Sequence, residues 1–449
     1  FSKAKYDLVD KIDEQGVLWL GKTPYLLTET LGSGASGDVS RYQKAIPNPK
    51  DAESLIPDPN DPGLAVKLAR GDDTITEPTQ EIKVLVNAVG TGNNDNIAPP
   101  RSTFLSEKHG RVIVLPMAKH GSLKSVFDVS FTSATNRSFV PKTTLAAAFL
   151  TPLVGLARAL IGLELAKGIA HRDIALRNVL VTDGGKGKLA DFGLSTTLVG
   201  SAPTNATKSI EADNVPLRWS PPEQYKADAV LTSKSNTWMF GMALYEAVYG
   251  KAPLERDGDK LIDGLERNKV IRDRVLAFDP ATDLPAVDTQ RWPSPLDQKL
   301  HALLAAILKP KPEDRPSMVE VEQSLRDIMK EVGVSIDEGG QLLDFLLSAT
   351  PPALTPFAQD LAKTALQPPE TWGDGIVSAL VTAYKSDAVK HSTKPNVVSI
   401  LSSPETALQS ILMGALDSVP PDQEAALLKT LQSREFKEAF EVAHHKTTP

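Results

Sequence analysis

The chain of 449 residues contains no cysteine, which excludes disulfides, thiolate zinc sites and cysteine nucleophiles without fixing a compartment. It also lacks a strong charge of either sign: 49 lysines and arginines stand against 56 aspartates and glutamates, a net charge of −7. Such a mild, spread charge offers no broad basic face to a nucleic-acid backbone or an anionic membrane, so neither partner is expected. Long apolar runs are missing as well. The longest uncharged apolar stretch, Thr143 to Ala157, falls short of the roughly 20 residues a bilayer span needs and is interrupted by Pro152, so a buried helix is expected and no direct membrane insertion. Residue 1 is Phe, so a targeting segment could have preceded it. The expected location is cytoplasmic.

What is present is the composition of a soluble globular protein, 41% hydrophobic and 23% charged. The length exceeds one ordinary domain, so at least two packed units are expected. Residues 1–19 read as an N-terminal extension, and 17–42 as short strands around a glycine-rich turn. Prolines at 47, 49, 57, 59 and 62 mark 43–63 as an irregular surface insertion, because proline removes a ladder donor. Strands follow at 64–69 and 111–117, with a helix-spaced segment at 81–89 between them. From Thr151, read as an N-cap before Pro152, the pattern turns helical, with further helices at 235–249, 296–308 and 317–331. A strand-rich part followed by a helix-rich part suggests two lobes with a crevice between them. After residue 335, helix-like segments between proline-bearing breaks read as a separate all-helical unit, 335–449.

The chemistry is concentrated in short motifs. "LGSGASGDV" fits G-x-G-x-x-G-x-V with Gly32, Gly34, Gly37 and Val39. Glycines let a backbone approach phosphates, yet an isolated match is equally an ordinary hairpin turn or a dinucleotide loop. A dinucleotide fold would place a helix directly after the glycines. Here a strand follows instead, and a second strand holds Lys67 in "AVK". Glu81 lies 14 residues beyond Lys67 and suits an ion pair with it, with Glu77 as a competing partner; two unrelated surface charges are the bland alternative. "HRDIALRN" (171–178) comes next, then "LADFGLS", with Asp191 18 residues after Asp173.

This ordered set resembles the eukaryotic-type protein kinase family, most closely its tyrosine kinase and tyrosine-kinase-like branch, over roughly residues 20 to 333. The resemblance implies an α+β bilobal fold: a small β-rich lobe at about 20–116, a large helical lobe at about 119–334, then the helical C-terminal region. It implies ATP and Mg²⁺ as cofactors and a protein as substrate. Carried over, Asp173 takes the acceptor hydroxyl's proton, Asn178 and Asp191 hold Mg²⁺, and Lys67, paired with Glu81, holds the α/β-phosphates. Arg172 resembles the arginine that receives the activation segment, while His171 and Phe192 complete their motifs. Leu31, Val39, Ala65 and Leu180 are the implied apolar walls of an adenine site, though strand core would explain them as well. Leu115 would guard its back, Pro116 would offer a carbonyl and Ala118 an N–H. "PLRWSPPE" resembles the end of an activation segment, with Glu223 expected to form a buried pair with Arg315.

The acceptor hydroxyl is read from finer resemblances. Ala175 and Arg177 follow the tyrosine-kinase pattern after the catalytic aspartate, and "PLRW" resembles the tyrosine-kinase P-[IV]-[KR]-W, in which Pro216 and Trp219 would floor a phenol ring. Tyrosine is the preferred acceptor; a serine/threonine or dual-specificity kinase stays open. Three departures stand out. Asn236 occupies the place of an aspartate that anchors the catalytic loop, keeping an acceptor but losing the charge. No tyrosine lies between Asp191 and Glu223, leaving Ser195, Thr196, Thr197, Ser201, Thr204, Thr207 and Ser209 as phosphorylation candidates, with Glu211 and Asp213 as alternatives for ordering the loop near Arg172. The third is the insertion at 43–63. Asn236 and the atypical loop support a pseudokinase scaffold as the competing reading, acting through 335–449, which would otherwise pack on the large lobe or contact partners.

Overall fold

The computed structural model describes residues 10–34, 37–68, 95–106, 108–130, 142–165, 169–197, 216–226, 231–259, 262, 264–348, 361, 363–373, 375–385, 421–431 and 433–447. The first part is one antiparallel sheet built from β1 (Lys11–Ile12), β2 (Leu18–Leu20), β3 (Thr23–Gly34), β4 (Gly37–Asn48), β5 (Asp51–Pro57), β6 (Leu64–Leu68), β7 (Ser102–Ser106) and β8 (Gly110–Pro116). The order is β1-β2-β3-β4-β6-β8-β7, with β5 paired to β4 alone. Alternating side chains of these strands put Leu18, Tyr25, Tyr42, Leu64, Val66, Val112 and Val114 into one small core.

Two expectations change in this lobe. Within residues 1–19, expected as an extension, Lys11–Ile12 and the strand begun at Leu18 belong to the sheet, the latter where strands were expected from residue 17, and Leu18 is fully buried in its core. The proline-rich insertion is a hairpin rather than an irregular loop. Beyond Lys44, which pairs with Tyr25, β4 leaves the main sheet and pairs with β5 from Ala45↔Pro57 to Asn48↔Asp51. Pro47 is tolerated because this arm has only two strands, so no third strand calls on its missing N–H. Its base is tied by the Asp61 carboxylate, which accepts from Lys44 N–H at 2.6 Å.

The large lobe is organised by the helix Ser233–Tyr249. Residues 235–248 are all buried, a capping box of Thr232 and Ser235 starts it, and Gly250 at φ 66° ends it. Around it pack Lys142–Ala148, Thr151–Leu165, Gly264–Leu276, Leu296–Ile307 and Met318–Glu331, in a core that includes Leu156, Trp238, Trp292, Leu304 and Leu325. Thr151 is not an N-cap: the Leu150 carbonyl accepts from Val154 N–H, and the Thr151 hydroxyl is buried without a partner among the described residues. The whole stretch Lys142–Leu165 is 24 residues, longer than the uncharged run suggested and long and apolar enough to cross a membrane, but 83% of its most apolar window is buried inside the protein. Its apolarity serves the core.

Short pairs shape the base of the crevice: β9 (Ile169–Ala170) with β12 (Thr196–Thr197), and β10 (Val179–Thr182) with β11 (Lys186–Leu189). The 10–11 hairpin lies directly on the apolar helix, since a Cβ on Gly187 would sit 2.1 Å from the Pro152 carbonyl oxygen. The expected boundary at 334/335 falls within packed structure. Helix Ile336–Ser348 places Leu342, Leu343 and Leu346 in the large-lobe core, so that lobe continues to residue 348. Farther on, Gly375–Lys385 and Arg434–Thr447 pack together, and Trp372 meets Phe436 edge-on at 6.2 Å.

One ion pair fastens the segment after the activation loop to this lobe. Arg315 and Glu223 form two parallel contacts of 2.8 Å, with both residues buried. The remaining guanidinium donors reach the carbonyls of Lys309, Lys234 and Pro310, and Ser235 donates to Glu223. A buried charge this fully satisfied is costly to orphan. Arg315→Ala is expected to lower unfolding stability in urea by about 3–5 kcal/mol, whereas Lys299→Ala, which removes an exposed bridge to Glu331, should change it by less than ~1 kcal/mol.

Candidate active site

The crevice between the lobes is a cleft of about 890 Å³. Its roof is the glycine hairpin, where β3 and β4 meet at Gly34↔Gly37 and Val39 lies opposite Lys67 on β6. A Cβ on Gly32 would meet nothing within 4 Å, so this backbone is open toward a ligand. Leu31, Gly32, Gly37, Val39, Ala65, Leu115, Pro116, Ala118 and Leu180 all line the cleft, as the sequence led us to expect. Gly34 pairs with Gly37 at the end of the hairpin. Ala98, Ile113, Met117, Ser122, Ser125 and Leu194 also line it and were missed. Ile113 was within reach of the period-2 rule, two residues before Leu115 on one strand face. Ala98 was not, because it arrives through a nonlocal contact, its N–H donating to the Leu189 carbonyl at 2.9 Å.

Lys67 is buried, and its Nζ lies 2.8 Å from Asp191 Oδ1. Glu81 and Glu77 lie outside the described residues. Asp191 stands at φ 60°, a left-handed conformation that aspartate tolerates better than most residues. Burial works to raise its pKa, but the charge and hydrogen bond of Lys67 hold the carboxyl below its ordinary value. Asp173 behaves in the opposite way. Burial pushes it up, and neither Arg177 nor Asn178 fully offsets that.

The loop carrying Asp173 is fixed from three sides. Asn178 donates both to the Asp173 backbone carbonyl and to its Oδ2, each at 2.8 Å, and Arg177 donates to Oδ1. The Arg177 guanidinium also lies 5.1 Å from the Trp219 ring centroid, so one side chain bridges the loop and the floor after the activation segment. His171 sits beneath, fully buried, stacking edge-on with Phe192 at 4.8 Å. Burial drops its pKa to about 4, so it is neutral near pH 7. Arg172, at φ 68°, is largely enclosed, and burial lowers its pKa.

Asn236 turns out to be a two-way clamp. Its Oδ1 accepts from His171 N–H at 3.3 Å, while its Nδ2 donates to the Ile169 carbonyl at 2.9 Å. The expected loss of charge is real, but the amide gains a donor that a carboxylate lacks. Ser195 is not available as a phosphorylation site: it is buried and donates to the His171 carbonyl at 3.2 Å. Thr196 and Thr197 pair with β9, while Ser201, Thr204, Thr207, Ser209, Glu211 and Asp213 lie outside the described residues.

The family of protein tyrosine and serine/threonine kinases matches residues 26–325, about two thirds of the chain. The chain belongs to that kinase family. Among its relatives is the megakaryocyte-associated tyrosine-protein kinase of Rattus norvegicus, 27% identical over 235 residues, which are 52% of this chain and 42% of the relative. Human tyrosine-protein kinase Srms is 30% identical over 165 residues, 36% of this chain and 28% of the relative. The tyrosine-protein kinase transforming protein Abl of Abelson murine leukemia virus is 29% identical over 170 residues, 38% and 20% respectively. The chain thus spans less than half the length of these curated relatives.

Within a kinase, the strand-rich part and the helical part are the two lobes, and the cleft lies between them. Asn236 is the telling departure. Asn236→Asp, which restores the residue usual in the family, would set a carboxylate oxygen against the Ile169 carbonyl in a site 2% exposed. That variant is expected to lose about 1–3 kcal/mol of stability, measured by thermal and urea unfolding; equal or greater stability would show that the donor contributes nothing.

Proposed function

We propose that the chain is an ATP- and Mg²⁺-dependent protein kinase whose preferred acceptor is tyrosine. One observation carries the reading. Asp173 is held between Asn178 and an Arg177 that rests on Trp219, in the same cleft as the Lys67–Asp191 pair. The residues present suit a magnesium nucleotide. Apolar walls lead to an open glycine backbone, a buried lysine cation and hard oxygen donors. Bound there, ATP would supply the γ-phosphoryl group and Mg²⁺ would neutralise its oxygens.

The chain's own residues have separate tasks. Asp191 and Asn178 are the metal ligands; Asn178 spends its amide hydrogens on Asp173, so its oxygen is the atom left for a cation. Lys67, buried beside Asp191, would hold phosphate oxygens. The carbonyl of Pro116 and the N–H of Ala118 would meet the adenine edge, and Leu31, Val39, Ala65, Leu115 and Leu180, which line the cleft, would exclude water from its faces. Asp173 accepts the hydrogen bond of the acceptor hydroxyl and takes its proton. Its raised pKa makes it a stronger base than an exposed aspartate, with burial raising it and the charge of Arg177 working the other way.

The tyrosine preference rests on Arg177 and Trp219. The ring of Trp219, whose backbone N–H donates to the Pro216 carbonyl at 2.9 Å, offers a flat apolar floor, and the arginine fixes that floor relative to the base. A phenol carries its hydroxyl farther from the backbone than serine does, which suits a base set away from such a floor. Three relatives named as tyrosine-protein kinases support the same direction. The floor itself is tied down through Arg218, which meets Asp259 at 2.8 Å; Arg274 shares that carboxylate.

Replacing Asp173 tests the reading. Asp173→Asn should reduce ³²P transfer from labelled ATP by at least ~10²-fold while nucleotide binding persists. Equal incorporation by both proteins would favour a scaffold that carries copurifying activity.

A further inference from the structure

We infer that helix Ile336–Ser348 is a positioning element for the nucleotide end of the cleft, acting through the Asp344 carboxylate on Lys119 and His120. The inference rests on the kinase reading only in naming the ligand. Its basis is how tightly the helix is registered and what it then grips.

The register is set by backbone contact. A Cβ on Gly340 would lie 2.4 Å from the Gly184 carbonyl oxygen, and one on Gly185 would lie 2.4 Å from the Gly340 carbonyl oxygen. A Cβ on Gly339 would come within 2.7 Å of Thr151 Oγ1. Contacts this close leave the helix no room to slide or rotate, and Leu342, Leu343 and Leu346 lock its other face into the core. One helical turn beyond Gly340 stands Asp344.

Asp344 Oδ1 accepts from Lys119 Nζ at 3.0 Å and from His120 Nε2 at 2.6 Å. The His120 side chain is 5% exposed, so this is no ordinary surface pair. Burial opposes the charge on Asp344, yet the bonds from His120 and Lys119 hold its carboxyl at about 2. The gripped residues directly follow Met117 and Ala118, which line the cleft. The turn is closed by Gly121 N–H donating to the Ala118 carbonyl at 3.2 Å and by His120 N–H donating to the Val181 carbonyl at 3.1 Å. A side chain from outside the matched kinase region therefore fixes the segment that presents Ala118. Asp183, 3.5 Å from Lys119, is too exposed to replace it.

The consequence is selective. Asp344 touches neither the Asp173 loop nor the Trp219 floor, so its loss should weaken nucleotide binding and spare the later steps. Asp344→Ala is expected to raise the Kd of a non-hydrolysable ATP analogue, measured by calorimetry, by about 5-fold. ATP KM should rise in parallel, with kcat and peptide KM within about twofold. Hydrogen exchange at the amides of 117–121 should speed up in the protein without nucleotide. Asp344→Asn, which keeps an acceptor oxygen, should fall between the two. Unchanged exchange at 117–121 and a Kd within twofold of wild type would overturn the inference. The exchange readout needs neither nucleotide nor transfer, so a wild type that transfers no phosphate would count against the proposed function and leave this comparison decisive.

Discussion

Two carboxylates must stay charged inside one largely buried cleft, and most of the surrounding structure serves that constraint. Asp173 and Asp191 face the same cleft, and burial works to raise the pKa of both. Lys67 reaches in from the small lobe to hold one, and Arg177 reaches across from the same loop to hold the other. The two cations act with different strength. Asp191 ends up a weaker base and Asp173 a stronger one, which fits the proposed roles of metal ligand and proton acceptor. The division of labour follows from burial and partners, because the two side chains are chemically identical.

Holding the charges in place is mostly the work of neutral hydrogen bonds. Asn236 secures the loop by donating and accepting at once, and the neutral His171 fills the space between that loop and Phe192. An amide at this position adds no third negative charge to the interior near Asp173 and Asp191. The Glu223–Arg315 pair then fixes the segment that carries Trp219, so the floor and the base keep their separation through Arg177. Asn236 and Ser235, which serve these two anchors, both lie on the central helix Ser233–Tyr249, whose residues 235–248 are all buried.

The residues that share the cleft were legible in the sequence, and the boundaries were poorly so. Motif residues such as Lys67, Asp173, Asn178 and Asp191 were readable because phosphoryl transfer admits few residue types at each place, and the structure brings them into one cleft. The long helices were readable from their apolar period. The hairpin at 45–57 was not, since its prolines signal a loop wherever strand pairing is one-sided. The strand Lys11–Ile12 and helix Ile336–Ser348 were misplaced for a related reason. Their attachment depends on contacts distant in sequence, such as Asp10 accepting from Gly21 N–H at 2.8 Å and Asp344 meeting Lys119. No local pattern announces such partners.

The proposed preference for tyrosine hangs on a single geometric feature, the Arg177–Trp219 contact beside Asp173. The most direct test is a matched pair of peptides, identical except for tyrosine or serine at the acceptor position, incubated with the protein, ATP and Mg²⁺ and read by mass spectrometry. Phosphate should enter the tyrosine peptide, with a kcat/KM at least about tenfold above that for serine, a difference of ~1.4 kcal/mol in transition-state binding. Phosphate entering only the serine peptide, or neither, would contradict it.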